Sequence, residues 1–298
     1  MRQPGFFLPR QRGFTLIEIA IVIAIMGFLL VLLVGISSSL IGQQRREATR
    51  QRITGVETAL ALYVSQNQRL PCPADGSLSP TDANLGLEVR TGASPNFTCN
   101  LGGANGQANG VVPWRTIGLA EADVTDGWGT RLTYRVAGAF VGAGSMNMVS
   151  CDPGGTSVAA ALAAATGYCN AACTTPFVIA NCTPPGNVTA TRGIEVRNLA
   201  GTKIMDPALA ANTGAAYVVI SHGENRAGGF DTQSVVQAAA GIASGTEEAK
   251  NAANLTLQLY YVDDFPAYAA GTSHFDDFVL RPTILTVATK AQLGPRAH

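Results

Sequence analysis

Three histidines, His222, His274 and His298, and six cysteines carry most of the reactive side chains of this 298-residue chain. On paper, Ser221 or Ser273 with His274 and Asp276 supplies the nucleophile, base and acid of a hydrolytic triad. No G-x-S-x-G elbow exists to present such a serine, so the grouping is read as chance. His222 is read as a histidine that satisfies local backbone groups. The glycine-rich stretches lack the lysine of a phosphate-binding loop. Cys169 and Cys173 are spaced C-x3-C, but the histidines are distant in sequence and no second close cysteine pair completes a zinc site. No catalytic residue is assigned, and the expectation is that the protein is not an enzyme.

Disulfides suit the cysteines better. Cys72, Cys99, Cys151, Cys169, Cys173 and Cys182 are even in number and stand among Gly-, Asn- and Pro-rich loops, the pattern of an oxidising compartment. The expected pairing is Cys72–Cys99, closing the loop after a helix, with the other four paired among themselves. Lys+Arg and Asp+Glu are equal at 20 each, so nothing global points to nucleic acid as a partner. Residues 1–13 nevertheless hold Arg2, Arg10 and Arg12 and no acid.

The element that follows this basic leader sets the organisation of the chain. Ile19 to Ile36 is an uncharged, almost wholly apolar run of the length that spans a bilayer core, and modest polarity carries it on to Ile41. A cleaved secretory signal would have an apolar region of only about 7–15 residues with its cut site after it. The cut expected here lies before the apolar run. Arg12-Gly13-Phe14-Thr15-Leu16-Ile17-Glu18 closely resembles the signal of type IV prepilins and type II secretion pseudopilins. The resemblance implies that prepilin peptidase cuts after Gly13 and that the new amino-terminal residue, Phe14, is methylated. It also implies a role for Glu18, whose ionised carboxylate costs roughly 2.5–3.5 kcal/mol within a membrane-spanning helix. In the family that carboxylate meets the amine of Phe14 on a neighbouring subunit; the alternatives are an interfacial position or pairing with the chain's own amine. The implied partners are prepilin peptidase, other pilin or pseudopilin subunits, the inner-membrane assembly platform, and membrane lipid before assembly. Arg45, Arg46, Arg50 and Arg52, opposed only by Glu47, leave the charge rule for orientation undecided, but the cysteines put the body outside the cytoplasm. That cluster is either a solvated helix face or a contact for anionic headgroups.

The elements that position these groups follow in order. Gly35 is expected to interrupt the apolar helix softly, since glycine costs about 1 kcal/mol in a helix interior. A second, amphipathic helix then carries Ile53, Val56, Leu60, Tyr63 and Val64 on one face, and Pro71 and Pro73 end it. The predicted domains are a leader at 1–13, a transmembrane and assembly helix at 14–41, a spine helix at 42–70 and an extracytoplasmic β-rich body at 71–298. Residues 74–110 read as loop. Strands are expected at 132–136, 193–198, 216–221, 255–262 and 277–280, with a disulfide-stapled insertion at 141–190 holding a short helix near 158–165. One long helix followed by runs of strands predicts an α+β class with an antiparallel sheet, and the resemblance names the pilin-like fold. Asp126-Gly127-Trp128-Gly129 through Tyr134 resembles a pseudopilin signature that implies a buried tryptophan. The loop Ser221 to Asp231 is similar to one that binds calcium in the major pseudopilin. That likeness makes Glu224, Asn225, Asp231, Asp276 and Asp277 candidate calcium ligands, although Asn225-Arg226 replaces the family's Asp-Gly and a hydrogen-bonded structural loop is the reading favoured. No cofactor is required.

Two functions of different class emerge. One is a structural subunit of a type IV pilus or type II secretion pseudopilus, a minor one by the bulk of its body, held in the bacterial inner membrane by a single pass and later assembled into a filament. The other is a signal-anchored periplasmic enzyme or binding protein. Gly13-Phe14 and Glu18 separate them, because an ordinary anchor has no use for either.

Overall fold

The computed structural model describes residues 15–102, 106–148, 193–208, 214–238, 246–254, 259–268 and 274–294, without the side chains of 30–39. The chain divides into two units, Met1–Arg45 and Arg46–His298. The leader, Gly13 and Phe14 lie outside the described residues, as do Cys151, Cys169, Cys173 and Cys182, most of the expected insertion and Ser273.

A single helix, α1 (Leu16–Asn67), replaces the two helices expected. Gly35 does not interrupt it: glycine keeps its amide, so its cost of about 1 kcal/mol is one that a long hydrogen-bonded ladder absorbs. In the first unit the described apolar side chains of α1, from Leu16 to Leu29, are exposed.

The second unit is α+β. Its strands are β1 (Ala74–Asp75), β2 (Arg90–Thr91), β3 (Thr98–Cys99), β4 (Gly110–Val111), β5 (Thr130–Arg131), β6 (Thr133–Val136), β7 (Val196–Arg197), β8 (Lys203–Met205), β9 (Tyr217–Ser221), β10 (Phe230–Asp231), β11 (Tyr261–Val262) and β12 (Phe278–Leu280), followed by α2 (Ile284–Lys290). A five-stranded sheet runs β1-β4-β6-β9-β12, antiparallel throughout. A smaller sheet, β11-β7-β8, departs from the antiparallel expectation because β11 and β7 are parallel. Two short antiparallel pairs, β5 with β10 and β2 with β3, complete the described strands.

The central strand β9 shows why the layers form. Every residue of Tyr-Val-Val-Ile-Ser is buried, and alternate side chains face opposite ways along a strand. Tyr217 and Val219 join Tyr134, Val136 and the spine residues Ile53, Val56, Leu60, Tyr63 and Val64 in the main core. Val218 and Ile220 join Val196, Met205 and Tyr261 in a second core. Residues 46–67 of α1 therefore cover one face of the sheet and the smaller sheet covers the other. Polar ties fix the helix: the Gly127 amide donates to Thr49 Oγ1 at 2.9 Å, and Arg52 Nη1 donates to the Thr125 carbonyl at 2.5 Å. α2 adds Ile284, Val287 and Ala288 to the main core behind a Thr283 cap.

The expected disulfide Cys72–Cys99 is present and ties the exit of α1 to β3. The stretch read as loop, 74–110, contains β1, β2 and β3 and the start of β4. The buried tryptophan is Trp114, whereas Trp128 is half-buried and stacks its ring 5.9 Å from Phe278.

Candidate functional site

Two regions hold the residues singled out from the sequence. The first is the start of α1. Thr15 and Glu18 form a reciprocal capping box there: the Glu18 amide donates to Thr15 Oγ1 at 3.4 Å, and the Thr15 amide donates to Glu18 Oε2 at 2.8 Å. Thr15 Oγ1 donates to the same oxygen at 2.9 Å. The carboxylate thus satisfies the Thr15 amide at its own helix end, a local use that the sequence reading missed although T-x-x-E was its visible signal. Among the described residues these bonds fall on Oε2, which leaves Oε1 for a further partner.

The second region lies under the loop from Ser221 to Asp231. Asp276 turns Oδ2 to the amides of Glu224 and Asn225, at 2.7 and 2.9 Å. The loop closes so tightly over this residue that a Cβ on Gly223 would stand 2.3 Å from the Asp276 carbonyl oxygen. Gly223 also has φ +55°, where glycine is least strained. Arg226 occupies the same left-handed region at φ +60°, in the place where the likeness leads one to expect glycine. Its Nε donates to Thr130 Oγ1 at 3.1 Å, a tie that offsets a backbone cost of roughly 1–2 kcal/mol.

The five residues named as candidate calcium ligands do not all meet. Glu224 is exposed and reaches Asp276 through its backbone. Asp231 belongs to its own turn, accepting from the amides of Gln233 and Val235 and from Gln237 Nε2. Asp277 is buried behind the loop, where Asn251 Nδ2 donates to its Oδ2 at 2.7 Å and His222 Nδ1 stands 4.0 Å from its Oδ1. In their place the fold delivers Glu248 and His274: Asn225 Nδ2 donates to Glu248 Oε1 at 2.7 Å, and Glu248 Oε2 lies 3.0 Å from His274 Nδ1.

Burial dominates the electrostatics. It raises Asp277 well above the carboxylate range, with the Glu248 charge adding to it and Asn251 opposing. Burial also raises Asp276 to about 6, against the Asn225 amide and with the Glu248 carboxyl beside it. Asp126 is raised in the same way, although Ser221 Oγ donates to it at 2.6 Å. Burial and then Arg135 push His222 down to about 3, with the Ala227 backbone opposing, so its imidazole is neutral; Nε2 meets Thr133 Oγ1 at 2.7 Å. Ser221 is thus engaged with a structural aspartate and is not set against a histidine base. The arginines at the head of the spine helix meet the body's aromatic rings: Arg46 lies 5.4 Å from the Tyr268 centroid and Arg50 5.7 Å from that of Phe278.

Residues 8–34 match the family model described as the prokaryotic N-terminal methylation motif, the signature of type IV pilins and pseudopilins. The chain carries that signature at its amino terminus. No curated protein and no solved structure matches it. Among the described residues no helix is long and apolar enough to cross a membrane; the described side chains of the apolar run stop at Leu29.

Proposed function

We propose that this protein is a minor structural subunit of a type IV pilus or type II secretion pseudopilus. Prepilin peptidase removes residues 1–13, the apolar run from Ile19 holds the chain in the inner membrane with its body outside the cytoplasm, and the same helix later packs into the filament. The observation that carries this reading is the methylation motif over residues 8–34, with an acid at Glu18. Support comes from the α+β body, in which the spine residues of one helix cover an antiparallel sheet, the arrangement expected of a pilin-like fold. A disulfide at Cys72–Cys99 suits an extracytoplasmic body. The bulk of the second unit favours a low-copy subunit over a repeating one. The role is structural, with no catalysis and no required cofactor, and the partners are the peptidase, other pilin subunits and the assembly platform.

Coexpression with an active prepilin peptidase tests the reading by intact mass. The expected product begins at Phe14 and carries an added methyl group. Retention of the whole leader, with a control prepilin cut in the same cells, would overturn it.

A further inference from the structure

We propose that Glu248, His274 and Asp276 form a binding site for a borderline divalent cation, of which Zn2+ is the type. One ligand atom from each of the three lies within 4.8 Å of the other two. Donor atoms on a tetrahedral ion, with bonds of about 2.0–2.2 Å, sit roughly 3.4 Å apart. The Glu248–His274 pair stands at 3.0 Å and the Asp276 oxygen lies within 4.8 Å of both donors, so side-chain rotation is what must draw the third donor in.

A second observation points to a ligand. Asp276 is 4% exposed and its Oδ2 is held by two backbone amides, yet its Oδ1 is buried without a hydrogen-bond partner. A buried carboxylate oxygen left unpaired costs free energy, and a cation is the partner that suits it. Asn225 Nδ2 holds Glu248 Oε1 and so orients a ligand from outside the set, as metal sites require. The side chain of Glu248 is 3% exposed and that of His274 is 22%, so an ion enters past the imidazole.

The donor set also selects the ion. Calcium takes six to eight hard oxygens, and here Asp231 is tied into its own turn while an imidazole nitrogen stands among the donors. Imidazole with carboxylates suits Zn2+ and its neighbours. The site is independent of how the amino terminus is processed.

The test is calorimetric titration of the full-length protein in detergent, under non-reducing conditions and after chelator dialysis, with ZnCl2 and separately with CaCl2. One equivalent of Zn2+ should bind, Ca2+ should bind far more weakly, and Zn2+ should raise Tm. His274→Ala and Glu248→Gln should each weaken zinc at least ~10-fold, the scale of losing a group that builds a metal site. Asp231→Asn should bind as wild type does. His274 is near the surface, so His274→Ala keeps the fold and circular dichroism confirms it. Absence of saturable zinc binding overturns the proposal, as does zinc binding unchanged in His274→Ala, or calcium binding tighter than zinc.

Discussion

Arg69 grips Glu88 with both terminal nitrogens, Nη1 to Oε2 at 3.0 Å and Nη2 to Oε1 at 2.5 Å. The same Oε2 accepts the Cys72 amide at 3.1 Å, so one carboxylate joins the exit of α1 to the start of the disulfide loop. Arg69 lies between aromatic rings as well, 5.3 Å from the centroid of Tyr63 and 5.2 Å from that of Phe97.

The pair makes the body sensitive to acid. Burial alone would raise the Glu88 pKa, but the hydrogen bond and charge of Arg69 outweigh it and hold the group below the ordinary glutamate value. A depressed folded-state pKa contributes stability that is full above the unfolded value near 4.5 and is lost as pH falls through the folded value. Glu88→Gln should therefore cost about 2 kcal/mol at neutral pH and flatten this acid limb. Urea unfolding of the body from Arg46 onward, between neutral pH and pH 3, checks it. An acid limb as steep in the variant as in wild type would contradict the assignment.

The spine should show a sharp contrast two residues apart. Leu60 is fully buried against the sheet and Leu62 is 59% exposed on the same helix. Leu60→Ala should destabilise the body by about 3 kcal/mol, the sum of lost burial and a residual cavity. Leu62→Ala should stay within about 0.5 kcal/mol of wild type. Equal effects, read by thermal unfolding, would mean that the helix packs through another face.

Glu18 can be dissected with two substitutions. Glu18→Gln keeps the side chain that a capping box accepts and removes the charge, whereas Glu18→Ala removes both. If the carboxylate pairs with the Phe14 amine of a neighbour, both variants should reach the membrane at wild-type level and both should be depleted from sheared filaments. Normal incorporation of Glu18→Gln would reduce Glu18 to a helix cap. A major pilin with the matching changes serves as control, because a subunit at the filament tip has fewer neighbours to lose.

What the sequence showed followed the range of the interactions involved. The 3.6-residue period of Ile53, Val56, Leu60, Tyr63 and Val64 marks a buried face because those residues share one helix, and all five are in the core. The run at β9 and the alternation through β6 were likewise local. α2 escapes the pattern because Ile284, Thr286, Val287 and Thr289 are β-branched and resemble a strand, and what makes them helical is the Thr283 cap with burial against the core. Asp276 stood out in the sequence as a candidate, but the packing of Glu248 and His274 beside it did not. His274 stands two residues before Asp276, but Glu248 is 26 residues from His274 in sequence, whereas Asp231, at the end of the loop, satisfies its own turn. Trp128 follows its motif in sequence, yet it is only half-buried, with its ring beside Phe278.

Thr133 on β6 and His222, the residue that follows β9, are hydrogen-bonded partners 89 residues apart in sequence, and β6 and β9 pair at the middle of the main sheet. Chain closure of that length costs only slowly growing entropy, so the final stability is little affected by how much polypeptide lies between. The timetable is another matter. During synthesis β6 stays unpaired on its β9 side until that whole interval has been made, and β12 must follow before β9 is covered on both edges. An early-exposed edge of this kind is the stretch on which a holding chaperone would act, and lengthening the interval would slow maturation long before it loosened the finished fold.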